Sequence, residues 1–271
     1  MYYFVFLILL LCNAYDLNAD QLSETKILVY TPAKCGTHLI CKAVELMSGR
    51  SFIGSSTYRE LVKRDEFIKT VEKNWNDGFI THTHWLPSFH ILQTLKSEGY
   101  KIVSITRDPR DQLISYIYHF HKYNGYDENI YPNHPPVNKQ LTKDLVVQLL
   151  KKFLINNIWA YKGTPFEQFY EPTKLQFLDD QFSCVVKFED LVGSNGGGSF
   201  EKQIQSLEKI NKHFNFYLDH SGIISVSNKL FGNSWSFRKG QIGEWRNYFD
   251  PSISLGFNKK FGTILYDLGY D

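Results

Sequence analysis

The sequence predicts an α/β fold with three layers, in which a central parallel sheet is flanked by helices. Short apolar runs alternate along the chain with longer segments of helical periodicity, an order that is typical of strand–helix–strand units. The 271 residues include 43% hydrophobic and 21% charged residues, a balance that favours a packed core over a disordered chain. We therefore expect a single domain over residues 26–271.

Four strands and seven helices are predicted. The strands are residues 26–31, 78–84, 101–106 and 183–188, each an apolar run that ends at polar or turn residues. The helices are residues 36–48, 58–74, 88–97, 108–122, 141–161, 200–214 and 252–268. Asp108 is the expected N-cap of the helix at 108–122, because Pro109 follows at the first helical position. Residues 124–140 are predicted to be a loop, and the glycine-rich residues 193–199 a flexible connector.

The N-terminus carries an apolar run at residues 2–12, YYFVFLILLLC. A membrane-spanning helix needs roughly 20 residues, so this run better fits the apolar part of a signal peptide, with cleavage near Cys12-Asn13-Ala14. No Lys or Arg precedes the run. Residues 1–14 are therefore predicted to be a signal-like or anchor segment, and a cleaved signal, a short membrane anchor and a buried segment are all left open. The protein would accordingly be secreted or exported, or else anchored to a membrane.

The charge and cysteine content narrow the classes of function. The formal net charge is only +2, whereas a dedicated nucleic-acid binder would show a larger basic excess. The four cysteines do not indicate a disulfide framework, and no Cys/His group has the spacing of a zinc site. We therefore expect no nucleic-acid partner and no metal, and any bound anion must be held by individually placed groups.

A candidate anion site follows the first strand, in the stretch TPAKCGTHLI at residues 31–40. Gly36 opens the predicted helix, whose first N–H groups and positive dipole end can bind an anion. Lys34 adds a mobile charge and Thr37 a hydroxyl. The order differs from the G-x-x-x-x-G-K-[ST] loop of nucleotide triphosphatases, because Lys34 precedes the only glycine. A solvated lysine in an ordinary turn is the alternative.

Two further stretches could hold a phosphate. Arg107 ends the strand at 101–106, and Ser115 lies two turns into the following helix, so that a guanidinium and a hydroxyl could meet one phosphate group. The stretch SFRKGQIGEW at residues 236–245 places Arg238, Lys239 and Gly240 in a predicted loop. Taken singly, Arg107 could instead pair with Asp108 or Asp111, and the basic loop could simply be solvated.

Together these stretches resemble the three signature segments of the PAPS-dependent sulfotransferase family, where PAPS is 3′-phosphoadenosine 5′-phosphosulfate. PAKCGTHL resembles P-K-S-G-T-T-W, RDPRDQLISYIYHF resembles R-N-x-x-D-x-x-x-S-Y-x-x-F, and FRKGQIGEW resembles R-K-G-x-x-G-D-W. KFEDL, at residues 187–191, also resembles the family's Y-E-D segment. The matches are collinear over residues 26–250, and they imply a P-loop-NTPase-like sulfotransferase fold.

The resemblance also implies roles for these residues, with PAPS as co-substrate and no metal. The groups that would hold the 5′-phosphosulfate are Lys34, Gly36 and Thr37 with the backbone of Cys35 and His38. The groups that would hold the 3′-phosphate are Arg107, Ser115, Arg238, Lys239 and Gly240. Lys34 would also stabilise the charge that grows on the leaving oxygen.

The family uses a general base in a T-H-L-P segment, which the strand FITHTHWLP resembles here. His84 is the predicted base, since an imidazole can accept a proton near neutral pH. His82 points to the same side of the strand and is the rival, and a structural role for both is the third alternative. The histidines at 90, 119 and 121 are expected to be surface or core residues of helices.

The chain also departs from the family pattern. Ala33 stands in place of a proline, His38 in place of a threonine, and Leu39 in place of a tryptophan that often stacks on adenine. Adenine packing is therefore assigned to Phe188 and other aromatic residues. The family's C-terminal dimer motif is not matched by RNYFDPSISL, so the oligomeric state is left open.

The resemblance thus predicts a sulfotransferase that moves a sulfuryl group from PAPS to a hydroxyl or amine of a small-molecule or glycan acceptor. The acceptor is expected to touch residues 120–180, where aromatic residues are dense. Two alternatives stay open. One is an inactive protein that binds PAPS or its desulfated product adenosine 3′,5′-bisphosphate (PAP), and the other is a nucleotide-dependent kinase, which would need Mg²⁺.

Overall fold

The computed structural model describes residues 25–54, 64–84, 87–123, 141–159, 181–232 and 238–270. Its five strands are all parallel and lie in the order β2-β3-β1-β4-β5. The strands are β1 (Lys26–Tyr30), β2 (Ser51–Gly54), β3 (Phe79–Thr83), β4 (Tyr100–Thr106) and β5 (Ser183–Lys187). The helices are α1 (Thr37–Ser48), α2 (Arg64–Asn76), α3 (Phe89–Ser97), α4 (Pro109–Tyr123), α5 (Lys143–Leu154), α6 (Phe188–Leu191), α7 (Phe200–Phe214), α8 (His220–Leu230) and α9 (Pro251–Asp267). The predicted fold class is confirmed.

The sheet is buried on both faces by helices. Alternate residues of β1 show this, since Ile27 and Val29 pack with α1, α7 and α8 on one face. Leu28 and Tyr30 pack with α2 and α3 on the other face. Side chains alternate across a strand, so an almost entirely apolar strand is what a two-sided burial requires. A further apolar cluster joins α4, α5 and α9.

The strand order places a crevice at the carboxyl end of β1. The chain runs from β1 out to β2, returns through β3 beside β1, and then crosses to β4 on the other side of β1. A reversal of this kind separates the loops that follow neighbouring strands, which is where open α/β sheets bind their ligands. The loops after β1, β3 and β4 therefore meet at one edge of the sheet.

Some elements differ from those predicted. The four-residue edge strand β2 and the helices α6 and α8 were missed, and Phe188, predicted to end a strand, instead begins α6. Asp219 is the N-cap that precedes α8, and its Oδ1 accepts a hydrogen bond from Gly222 N at 2.7 Å. The helix predicted at 141–161 is α5, which ends at Leu154. It does not continue through Asn157, whose backbone lies in the left-handed region with φ 62°.

The expected flexible connector at 193–199 is instead a closely packed turn. A Cβ on Gly196 would lie 2.7 Å from the carbonyl oxygen of Gly240, and one on Gly198 would lie 2.7 Å from that of Glu189. The glycines therefore serve close backbone approach rather than freedom of movement. The Gly196 carbonyl also accepts a hydrogen bond from Ile242 N at 3.0 Å, which ties the turn to the loop that follows Arg238.

Several predictions lie outside the described residues. These are the signal-like or anchor segment at 1–14, the start of the helix predicted at 58–74, and the loop at 124–140. Among the helices that the structure describes, none is both long and apolar enough to cross a membrane. The extent of the single domain stays a prediction.

Candidate active site

The loop after β1 has the backbone that an anion site needs. Lys34 has φ 67°, a conformation uncommon for a residue with a side chain and one that tends to occur at functional sites. Gly36 has φ 112° and is the N-cap of α1, which has no side-chain cap. A Cβ on Gly36 would lie 2.7 Å from Cδ2 of Phe188, so only glycine fits. The first N–H groups of α1 consequently stay available to an anion.

Thr31 connects this loop to the end of β3. Its hydroxyl lies 2.8 Å from that of Thr37, and its carbonyl oxygen lies 2.9 Å from Nδ1 of His84. A carbonyl can only accept, so Nδ1 of His84 carries the proton and donates it. The Nε2 of His84 therefore bears a lone pair, which is the tautomer that a general base requires.

Arg107 joins the first segment to the third. Its Nη1 donates to the Lys34 carbonyl at 3.4 Å and its Nη2 to the Gln241 carbonyl at 3.2 Å. The guanidinium also lies over the ring of Phe188, 4.3 Å from its centroid. Within the described residues, Nε of Arg107 has no hydrogen-bond partner. The guanidinium thus keeps donor capacity at the point where the predicted 3′-phosphate would sit.

The third segment is fixed by α4. The buried carboxylate of Asp111 accepts hydrogen bonds from Gly243 N at 2.7 Å and from Trp245 N at 2.8 Å. Arg110 lies over the Trp245 ring at 4.0 Å and pairs with Asp108 at 2.8 Å. Asp108 therefore pairs with Arg110, and Nη2 of Arg107 lies 4.0 Å from the carboxylate of Asp111.

Arg238 and Lys239 share one carboxylate. Both form ion pairs with Glu244, and the distance from Lys239 Nζ to Oε1 is 2.9 Å. Arg238 also lies over the Tyr118 ring, 4.2 Å from its centroid. Burial acts to raise the pKa of the Glu244 carboxyl, but the hydrogen bonds from the two cations outweigh it, so the pKa is lowered. These contacts hold Arg238 beside α4 and pair Lys239 with the same carboxylate.

The remaining predicted residues fall around this cluster. Ser115 is half-buried on α4, one turn after Asp111, and Gly240 adopts φ 63° within the third segment. The Cys35 side chain is buried in the core, which leaves its backbone in the loop. Phe188 is only 5% exposed and packs between Gly36 and Arg107. The ring supports the loop, and adenine packing by Phe188 stays a prediction.

The electrostatics of the site follow from burial among cations. Burial lowers the pKa of Lys34 to about 8, and the charges of Arg107 and Arg238 act in the same direction. Burial lowers the pKa of His84 to about 4, against the hydrogen bond to Thr31. His84 is therefore neutral at pH 7, as a base must be before it accepts a proton.

His82 lies beside His84, with the ring centroids 5.5 Å apart. Burial lowers its pKa too, against a hydrogen bond to the backbone of Ile53 on the edge strand. Of the two rings, that of His84 is the one bonded to Thr31 of the first segment. The choice of His84 as base stays a prediction, with this contact as its support.

His119 was expected to be a surface or core residue of its helix, and the structure shows it half-buried on α4 beside Lys34. Its Nδ1 lies 3.2 Å from Nζ of Lys34, so it belongs to the site. The available signal was helical spacing, since Asp111, Ser115 and His119 are successive residues four apart on one face of α4. The structure also places His38 within the electrostatic reach of Lys34, with its pKa lowered mainly by burial.

No group of three or more His, Cys, Asp or Glu side chains in the described ranges could hold a metal ion. The absence of a metal requirement stays a prediction.

A family profile described as "Sulfotransferase domain" matches residues 24–269. Similar curated proteins are cytosolic sulfotransferase 5 of Arabidopsis thaliana, 24% identical over 189 residues, and sulfotransferase 6B1 of Danio rerio, 25% identical over 198 residues. These alignments cover 65% and 68% of this chain but 54% and 57% of the relatives. The chain thus spans little more than half the length of the curated relatives it matches.

Solved structures share the fold. The mouse sulfotransferase SULT7A1 complexed with PAP matches with a TM-score of 0.58 and 20% identity, over 89% of this chain and 84% of that chain. Retinol dehydratase in complex with androsterone and PAP matches with a TM-score of 0.53 and 16% identity, over 89% of this chain and 80% of that chain. At these identities the likeness concerns the fold alone.

Proposed function

This chain belongs to the sulfotransferase family, and we propose that it transfers a sulfuryl group from PAPS to a hydroxyl or amine of an acceptor. One observation carries the proposal. Arg107 is bonded to the first and third segments at once, so the groups predicted to bind the two ends of the donor surround a single crevice. The alternative of unrelated solvated cations gives no reason for these contacts.

The site fits an anionic donor. The first turn of α1 supplies N–H groups and Lys34 supplies an ammonium for the 5′ end. Arg107, Arg238 and Lys239 supply fixed positive charge for the 3′ end. PAPS, when bound, provides an activated sulfuryl group whose leaving group is a phosphate. The chain must then orient that group, neutralise its charge and remove one proton from the acceptor.

The transfer balances with the groups present. The acceptor oxygen forms a bond to sulfur as the bond from sulfur to the bridging oxygen breaks, and the bonding electrons leave with PAP. Nε2 of His84 takes the acceptor's proton, which its tautomer allows. Lys34 places its positive charge where negative charge grows on the leaving oxygen.

Apolar alcohols are the first acceptor class to test. Retinol dehydratase, which shares the fold, is described in complexes with androsterone and with retinol. Residues 120–180, where the acceptor contacts are expected, lie largely outside the described ranges, so an acceptor screen should also include phenols, amines and sugars.

Calorimetric titration with PAP tests the donor site directly. We expect PAP to bind and adenosine 5′-monophosphate to bind much more weakly, because Arg107, Arg238 and Lys239 would contact only the 3′-phosphate. Equal affinity for the two nucleotides, or no binding by a folded protein, would contradict the proposal.

Substitution of the two predicted catalytic residues tests turnover. Lys34→Ala and His84→Ala should each lower kcat for sulfuryl transfer by about 100-fold or more, the scale of a lost charge-stabilising or acid–base group. His82→Ala is the matched control, since His82 lies two residues earlier on the same side of the strand, and this variant should retain turnover. Loss in His82→Ala with normal turnover in His84→Ala would reverse the assignment. PAP binding without turnover in the wild type would instead favour the inactive binding protein.

A further inference from the structure

We propose that His119 is a positioning residue for Lys34, holding the lysine ammonium in place through an acceptor nitrogen on α4. The effect on catalysis rests on the proposed function, whereas the effect on Lys34 itself does not. In the second segment as matched above, His119 stands at the position of the pattern's final phenylalanine, so the resemblance assigns this histidine no role.

Both ends of Lys34 are held from the same stretch of chain. Its carbonyl accepts a hydrogen bond from Arg107 at 3.4 Å, and its Nζ lies 3.2 Å from Nδ1 of His119. The left-handed backbone at Lys34 fixes the direction in which its side chain departs. A long lysine side chain has many rotamers, so a second contact at Nζ selects among them.

The chemistry of the contact fixes the tautomer of His119. An ammonium has three donors and no acceptor, so Nδ1 of His119 must accept and the imidazole proton lies on Nε2. This tautomer is the opposite of that of His84, whose Nδ1 donates to the Thr31 carbonyl. One histidine therefore holds the lysine, and the other presents a basic nitrogen.

The charges around His119 keep it an acceptor. In the part of the chain that the structure describes, the charged or titratable groups that act on it include Lys34 from the first segment, His84 from the end of β3 and Lys122 from α4 itself. Burial is the largest cause that lowers the pKa of His119 to about 4, and the charges of these groups act in the same direction. The ring is thus neutral through the physiological range, and its contact with Lys34 would fail only in acid.

Measurement of the Lys34 pKa tests the contact without any donor. His119→Leu removes the acceptor and keeps comparable bulk, and His119→Asn keeps an acceptor oxygen close to the position of Nδ1. NMR titration of the chain with ¹³C-labelled lysine, in which Lys34→Arg identifies the signal, should show a lower Lys34 pKa in His119→Leu and a restored one in His119→Asn. A hydrogen bond to the charged form favours that form. An unchanged Lys34 pKa in His119→Leu overturns the proposal.

Kinetics test the consequence for transfer. With PAPS and an acceptor found by screening, His119→Leu should lower kcat about tenfold or more through misplacement of Lys34, and His119→Asn should recover most of it. The affinity for PAP should change little. His121→Leu is the control for packing, because it makes the same change two residues further along α4. Equal kcat in His119→Leu and the wild type, or no recovery in His119→Asn, overturns the proposal. Absence of PAP binding by the wild type would count against the proposed function alone, since the NMR result stands by itself.

Discussion

Lys34 carries its charge in unfavourable surroundings. It is largely buried and lies near two guanidinium groups, and together these lower its pKa to about 8. The phosphates of a bound nucleotide would reverse the balance, because opposite charge favours the ammonium form. The residue is therefore able to couple nucleotide binding to its own protonation.

PAP binding should take up protons in mildly alkaline solution. At pH 8 about half of the Lys34 side chains are neutral, and binding should charge them, with an uptake of up to about half a proton per site. Calorimetry in buffers of different ionisation enthalpy measures this number. Lys34→Arg is the control, because a guanidinium stays charged throughout. Equal proton uptake in the wild type and in Lys34→Arg would contradict this account.

Residue type and spacing marked each of the three stretches singly, whereas only the resemblance to the sulfotransferase family joined them into one predicted site. Arg107, Asp111 and Ser115 are four residues apart and follow a strand, so one sequence stretch carries the signal. The spacing of Asp111, Ser115 and His119 marks a shared face of α4, but the contact of His119 with Lys34 joins residues 85 positions apart, and no local pattern predicts it. The sequence likewise did not predict that Glu244 forms ion pairs with both Arg238 and Lys239, which the structure shows.

At the scale of elements, the turn at 193–199 shows how a composition can mislead. Glycine and serine in succession are typical of a flexible linker, yet here the glycines permit close backbone contacts with the third segment. Most strands and helices were predictable because their apolar patterns extend over enough residues to be recognised. The edge strand β2 was not, because four residues give too short a pattern and its partner β3 lies 25 or more residues away.

Gly196→Ala should therefore disturb the donor site from outside it. The new Cβ would lie 2.3 Å from Val192 Cγ2 and 2.7 Å from the Gly240 carbonyl oxygen, so the third segment must shift. We expect a loss of about 1–3 kcal/mol in the free energy of unfolding, as for other overpacked sites, with PAP affinity lowered about tenfold. Denaturant unfolding and calorimetry measure the two effects. Gly262→Ala in α9 is the control, because the nearest atom to its new Cβ would be 3.9 Å away. Unchanged PAP affinity in Gly196→Ala would show that the turn does not position the third segment.

At the scale of the whole molecule, the sheet order explains why distant residues share one site. Thr31, His84 and Arg107 each follow the carboxyl end of a different parallel strand, and those strands are neighbours in the sheet. The alternation of strands and helices predicted the parallel sheet, but it did not predict which strands adjoin. That order depends on packing between helices on the two faces, which local periodicity does not encode.

The half-buried His84 should also make the whole fold sensitive to acid. His84 has a pKa of about 4 in the folded chain and about 6.5 when unfolded. Between these values the unfolded chain binds more protons, so stability falls as the pH is lowered from about 6.5 to about 4. The contribution of His84 alone is about 3 kcal/mol.

Urea unfolding at pH 7 and pH 4.5 should therefore show a smaller loss of stability in His84→Gln than in the wild type. His90→Gln makes the same change at an exposed histidine on α3 and should lose as much stability as the wild type. An equal loss in His84→Gln would mean that the His84 imidazole does not set the acid sensitivity.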